Sequence, residues 1–166
     1  MAANFPIVKQ IAWKGLIPQM IVVVTLMWLA EIVGIKESIP VGAIAYLILS
    51  VGLKWLIPHL HRKGIALVKK GRFAEALTEF ERSFAFFTAH KRLDDWRAVT
   101  ILSPSRMSYR EMGLLNMAFC CSQIGRHAEA LNYYQQVSKE YPGNHIAESA
   151  LRMMNASSAN EQLQPS

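Results

Sequence analysis

Few side chains in this sequence have the types and spacing that chemistry requires. Cys120 and Cys121 are its only thiols. A redox pair would be spaced CxxC, whereas helix neighbours cannot close an ordinary disulfide without strain. Buried filler suits them better, and free thiols suit a reducing compartment. His59 and His61 stand two apart, so a helix turns them to different faces and no metal site is expected. Asp94, Asp95 and Arg97 read as a solvated turn. The sequence contains no phosphate-binding glycine loop, zinc-protease helix or nucleophile elbow. The expectation is a protein that binds rather than catalyses, with no catalytic residue, metal or cofactor.

The elements that would position a binding surface fall into two kinds. From Leu16 to Ile35 the chain reads LIPQMIVVVTLMWLAEIVGI, and from Ile39 to Ile57 IPVGAIAYLILSVGLKWLI. Each run matches the roughly 20 apolar residues that cross a hydrocarbon core. Both are apolar all round rather than on one face, which disfavours a soluble helical pair. Lys9 and Lys14 precede the first run as in a signal peptide, but no small-x-small cleavage site follows and a second apolar run does. The short link Lys36-Glu37-Ser38 predicts a tight transmembrane hairpin, spans 16–35 and 39–57. Lys/Arg residues flank its outer ends, so residues 1–15 and the C-terminal part are expected on the cytoplasmic side. Glu31 and Lys54 fall towards opposite ends of the spans, where snorkelling beside Trp28 and Trp55 accounts for them better than ion transport.

The formal charge of +6 is uneven: residues 59 to 110 hold eleven Lys/Arg against five Asp/Glu, while residues 111 to 166 hold three against five. A basic block favours polyanions. Because this one abuts an apolar run, Arg62, Lys63, Lys69, Lys70 and Arg72 are expected to meet anionic lipid head groups rather than nucleic acid.

After Pro58 the pattern changes to charged helices with apolar residues every three or four positions. Two segments align, Leu60 to Phe84 and Leu114 to Val137, and both carry G-R-x-A-E-A-L, at Gly71 to Leu77 and Gly125 to Leu131. This resembles the tetratricopeptide-repeat (TPR) family, whose unit of roughly 34 residues is a pair of helices. Gly64 and Ala118 match the small position of the first helix, Gly71 and Gly125 the turn, and Ala76 and Ala130 the small position of the second. Phe80 and Tyr134 match the aromatic site, and Pro142 the terminal proline. Ser83 and Val137 stand where the family prefers Ala, Thr88 replaces the first terminal Pro, and Leu60 and Leu114 replace the early Trp. The two turns lie 54 residues apart, so about 20 residues, near 90–110, are inserted into the period.

The expected fold class is therefore all-α: a two-helix transmembrane hairpin followed by a short TPR-like α-solenoid over 58–156. Its two repeats need a cap. Candidates are a helix from about His145 to Asn155, the insertion, or a second copy of the chain. A disordered tail is expected over 157–166.

The resemblance implies a concave partner-binding groove lined by Ile65, Lys69, Leu115, Asn116, Phe119, Gln123 and Met153. Only Asn116 matches the residues with which chaperone-binding relatives grip a carboxylate. An apolar segment of a protein partner suits the groove better, and another membrane protein is one candidate for that partner. The resemblance further implies an adaptor or scaffold at the cytoplasmic face of a bacterial plasma (inner) membrane. The alternative is a structural subunit of a multi-span transport or assembly complex.

Overall fold

The computed structural model describes residues 16–103 and 105–163. The expected cytoplasmic segment 1–15, with Lys9 and Lys14, lies outside them, as do the last three residues of the expected tail. Among the described residues the chain is all-α, with nine helices and no strand. In chain order these are α1 (Leu16–Ile32), α2 (Ser38–Leu56), α3 (His59–Lys69), α4 (Phe73–Ala89), α5 (Lys91–Asp95), α6 (Arg97–Thr100), α7 (Tyr109–Gln123), α8 (His127–Glu140) and α9 (His145–Leu163). They form two compact units: α1, α2, α5 and α6 in the first, and α3, α4, α7, α8 and α9 in the second.

In the first unit α1 and α2 pack on each other and α6 packs on α1. Pro40 sits in the first turn of α2, where a missing N–H disturbs no helical bond. α1 stops at Ile32 rather than at the expected Ile35 because Gly34, at φ +84°, closes it: Gly34 N–H donates to Glu31 O at 2.9 Å and Ile35 N–H to Ala30 O at 3.1 Å. Among the described residues only α2, with 19, is long and apolar enough to cross a membrane; the described part of α1 is apolar with 17. The insertion into the repeat period forms α5 and α6 and belongs with the apolar helices. Sequence periodicity has no access to that allegiance.

In the second unit each helix packs on the next in the order α3, α4, α7, α8, α9, and α3 also meets α7. The repeated motif has a repeated structure. Gly71 and Gly125 adopt φ +72° and +79°. The following Arg72 and Arg126 donate backbone N–H to Leu67 O and Cys121 O at 3.0 and 2.9 Å, ending α3 and α7 in the same six-to-one closure. Each arginine then opens the next helix through its carbonyl, bonded by Ala76 or Ala130 N–H at 3.0 Å. Each guanidinium grips the carboxylate three residues on, Glu75 or Glu129, with Nε–O distances of 2.6 Å. The E of the motif therefore serves its R.

The small residues also have work in the packing. A Cβ on Gly64 would lie 2.6 Å from the ring of Phe80, which is fully buried; Ala76, Ala118 and Ala130 are likewise inaccessible. α7 is the middle helix and is buried continuously from Gly113 to Ala118. Phe80, Phe87, Leu114 and Val137 form the deepest packing. Asn144 caps α9, its Oδ1 accepting from the N–H groups of Ile146 and Ala147 at 3.1 and 3.0 Å, while its Nδ2 donates to Glu111 of α7 at 2.7 Å. α9 continues to Leu163, well past the point where the polar composition predicts a tail. Ala156, Ala159, Glu161, Gln162 and Leu163 are all good helix formers.

Candidate functional site

The first candidate surface is the exterior of the α1–α2 pair, whose burial is inverted relative to a water-soluble core. The buried residues are small or polar: Gln19, Ala30, Gly42 and Ser50. Gly42 lets the backbones meet, since a Cβ there would lie 2.6 Å from Met27 Cα. Gln19 accepts a hydrogen bond from the Tyr46 hydroxyl at 3.2 Å. Thr25 returns its hydroxyl to Ile21 O at 2.8 Å, so it presents no free donor. Facing outwards instead are Ile21, Trp28, Ile32, Ile48, Trp55 and Leu56, all 60% exposed or more. Small residues at the crossing and large apolar ones outside are the arrangement expected of helices whose solvent is hydrocarbon, and a continuous patch of this kind marks an interaction surface.

The second candidate is the set expected to form the partner groove. Leu115 and Asn116 are buried, Ile65 and Phe119 are half-buried, and Lys69, Gln123 and Met153 are exposed. Phe119 meets Phe73 edge to face at 5.9 Å. The polar centre is a contact that sequence reading missed. Asn116 Nδ2 donates to His61 Nε2 at 3.4 Å, joining residues 55 apart in sequence. That bond leaves the ring proton on Nδ1, which finds no hydrogen-bond partner among the described residues. The His61 ring lies edge-on to Phe80 at 5.3 Å and to Tyr109 at 5.5 Å, and Tyr109 stacks on Phe87 at 4.7 Å. Burial pushes the His61 pKa down from 6.5 to about 4, so the ring is neutral at neutral pH. The amphipathic spacing of α3 assigns His61 to the inner face, but nothing local in the sequence indicates Asn116 as its partner.

The basic set splits. Lys63 bonds the nearly buried carboxylate of Glu79 at 2.6 Å, with Arg82 at 3.6 Å from the same oxygen, and Arg72 is engaged by Glu75. Arg62, Lys69 and Lys70 are exposed. His59 is exposed and His61 buried, which keeps the two imidazoles apart in environment. Both thiols are free and buried; burial and the neighbouring Cys121 push Cys120 up to about 12, so its nucleophilic thiolate is suppressed.

No family model, no curated protein and no solved structure matches this chain.

Proposed function

We propose that the chain is a membrane-anchored adaptor. In this reading α1 and α2 form a transmembrane hairpin with both ends on the cytoplasmic side, and the second unit is a TPR-type helical module that holds a protein partner at the membrane. The observation that carries the anchor is the inverted burial of the α1–α2 pair, with Gly42 and Gln19 inside and Trp28, Ile48 and Trp55 outside. The module reading is supported by the matched geometry of the two Gly-Arg turns and by the contact order of the five helices. α3 begins after only Ile57 and Pro58 in the chain. Ile65, Lys69, Phe119, Gln123 and Met153 supply the accessible part of the partner surface, with an apolar centre that suits a hydrophobic segment.

A photo-crosslinking residue at Gln123 or Met153 of the full-length chain in native membranes tests this. One distinct protein should be captured from both positions, and Ile65→Asp should abolish capture without releasing the chain from the membrane. Capture of nothing, or of the chain alone, contradicts the adaptor reading.

The burial of Leu115 and Asn116 favours a second reading, in which the groove is mostly filled and α1 and α2 bind partners as a subunit of a multi-span complex. Capture from Ile48 and not from Gln123 or Met153 would establish that alternative.

A further inference from the structure

The segment between α4 and α7 leaves a charged helix, reaches α1, and returns to a second helix of the same unit that it left. Its winding is nearly continuous: Trp96 N–H bonds Arg92 O at 3.0 Å and Thr100 N–H bonds Trp96 O at 3.0 Å. Trp96 and Val99, three positions apart, therefore share a face. They are 67% and 44% exposed, although Ile101 and Leu102 beyond them are fully buried. An exposed tryptophan on a segment that also contains a tight core needs a reason.

The charges around it are one-sided. Lys91, Arg92 and Arg106 are exposed against one exposed acid, Asp95, because Asp94 is buried. The backbone is also unusually self-sufficient. The Arg97 guanidinium donates to the carbonyls of Ser105 at 3.0 Å, Asp94 at 3.1 Å and Arg106, and the Thr100 hydroxyl to those of Leu93 at 2.7 Å and Trp96 at 3.1 Å. Irregular backbone in water leaves such carbonyls to solvent. Satisfying them internally is what a segment requires where water is scarce.

We propose that Lys91–Ser108 seats in the bilayer interface, with Trp96 and Val99 at the head-group boundary and Lys91, Arg92 and Arg106 on anionic phospholipid. The inference rests on the reading of α1 and α2 as membrane helices. The packing of α6 on α1 brings the segment to them, and at its two ends the chain continues into the charged helices α4 and α7. Tryptophan prefers that depth because its ring is apolar and its N–H is polar, and basic residues add attraction to the anionic surface.

The test uses two single-tryptophan forms of the full-length chain, W13F/W28F/W55F retaining Trp96 and W13F/W28F/W96F retaining Trp55. Both are reconstituted in phosphatidylcholine–phosphatidylglycerol vesicles with brominated acyl chains. Trp96 should be quenched more by lipid brominated near the head group than by lipid brominated near the chain end. Aqueous iodide should quench it weakly, and K91Q/R92Q/R106Q in the same background should diminish its lipid quenching. If Trp55 is quenched by lipid while Trp96 responds only to iodide, the interfacial seat is wrong and the anchor stands. Trp96 shielded from both quenchers would mean protein cover, such as a second copy, and would equally overturn the inference. If lipid quenches neither tryptophan, the membrane reading falls with it.

Discussion

The two units apply opposite rules to the same repertoire of residues. The second buries Phe80, Phe87 and Leu114 and turns Lys69, Lys70 and Glu75 outwards; the first buries Gln19, Gly42 and Ser50 and turns Ile48, Trp28 and Trp55 outwards. Both use glycine at helix crossings, with Gly64 under Phe80 and Gly42 under Met27. The crossing chemistry is shared, then, while the exteriors differ, and the proposed membrane anchor would make that difference one of solvent. In water the large apolar side chain supplies the drive to pack; in hydrocarbon it gains nothing by packing, and close approach at small residues takes over.

Substitutions can break or sharpen that contrast. The largest effect is expected from Phe80→Ala, which opens a cavity in the second unit and should destabilise it by about 3–5 kcal/mol. Ile48→Ala, although it removes a side chain of similar character from the first unit, should stay within about 0.5 kcal/mol because Ile48 is exposed. Denaturation of the full-length chain in detergent, followed by circular dichroism, measures both. Comparable losses would erase the distinction between the exteriors.

The next effect depends on pH. The folded chain holds His61 neutral down to about pH 4, whereas the unfolded chain protonates it near its ordinary 6.5. Between those values the unfolded state binds the extra proton, so stability falls as pH drops from 6.5 to 4 and then levels off. The span corresponds to a loss on the order of 3 kcal/mol. His61→Gln should flatten that part of the stability–pH curve, and an unchanged slope would assign the acid sensitivity to other groups. The buried polar residues of α1 and α2, Gln19 and Ser50, do not titrate and contribute no such slope.

Gly42→Ala should cost about 1–3 kcal/mol, since its Cβ meets the Met27 backbone, which cannot swing aside. Gly52→Ala on the same helix meets nothing within 4 Å and should be neutral or stabilising by up to about 1 kcal/mol. Thermal midpoints in detergent separate the pair, and equal effects would mean that α1 and α2 do not cross at Gly42. The smallest loss is expected from Asn144→Ala, about 1 kcal/mol for the cap of α9. Amide exchange concentrated in the first turn of α9 would report it; exchange spread through α7 would instead give the Glu111 bond the larger role.

Legibility in the sequence followed the range of the interaction. The all-helical class, the long apolar helix α2 and the paired Gly-Arg turns depend on residues within a few positions of one another, and composition and repetition expose them. The early stop of α1 was legible in principle at Gly34 but was obscured by the apolar residues on either side. The long-range pairings were not legible. His61 meets Asn116 across 55 positions, Asn144 reaches back to Glu111, and the insertion joins α1 rather than the helices that flank it. Of the residues expected to line the groove, Leu115 and Asn116 are buried in the helical packing, and Ile65, Lys69, Phe119, Gln123 and Met153 are the accessible set.

The central claim is that the exterior of α1 and α2 faces hydrocarbon while that of the second unit faces water. A spin label at Ile48→Cys, and separately at Gln123→Cys, in chains whose Cys120 and Cys121 are replaced by Ala, measures this in vesicles. Dissolved oxygen reports lipid exposure and an aqueous nickel chelate reports water exposure. The account predicts that oxygen reaches the Ile48 label and nickel does not, with the reverse at Gln123. Nickel access at Ile48 equal to that at Gln123 would contradict it.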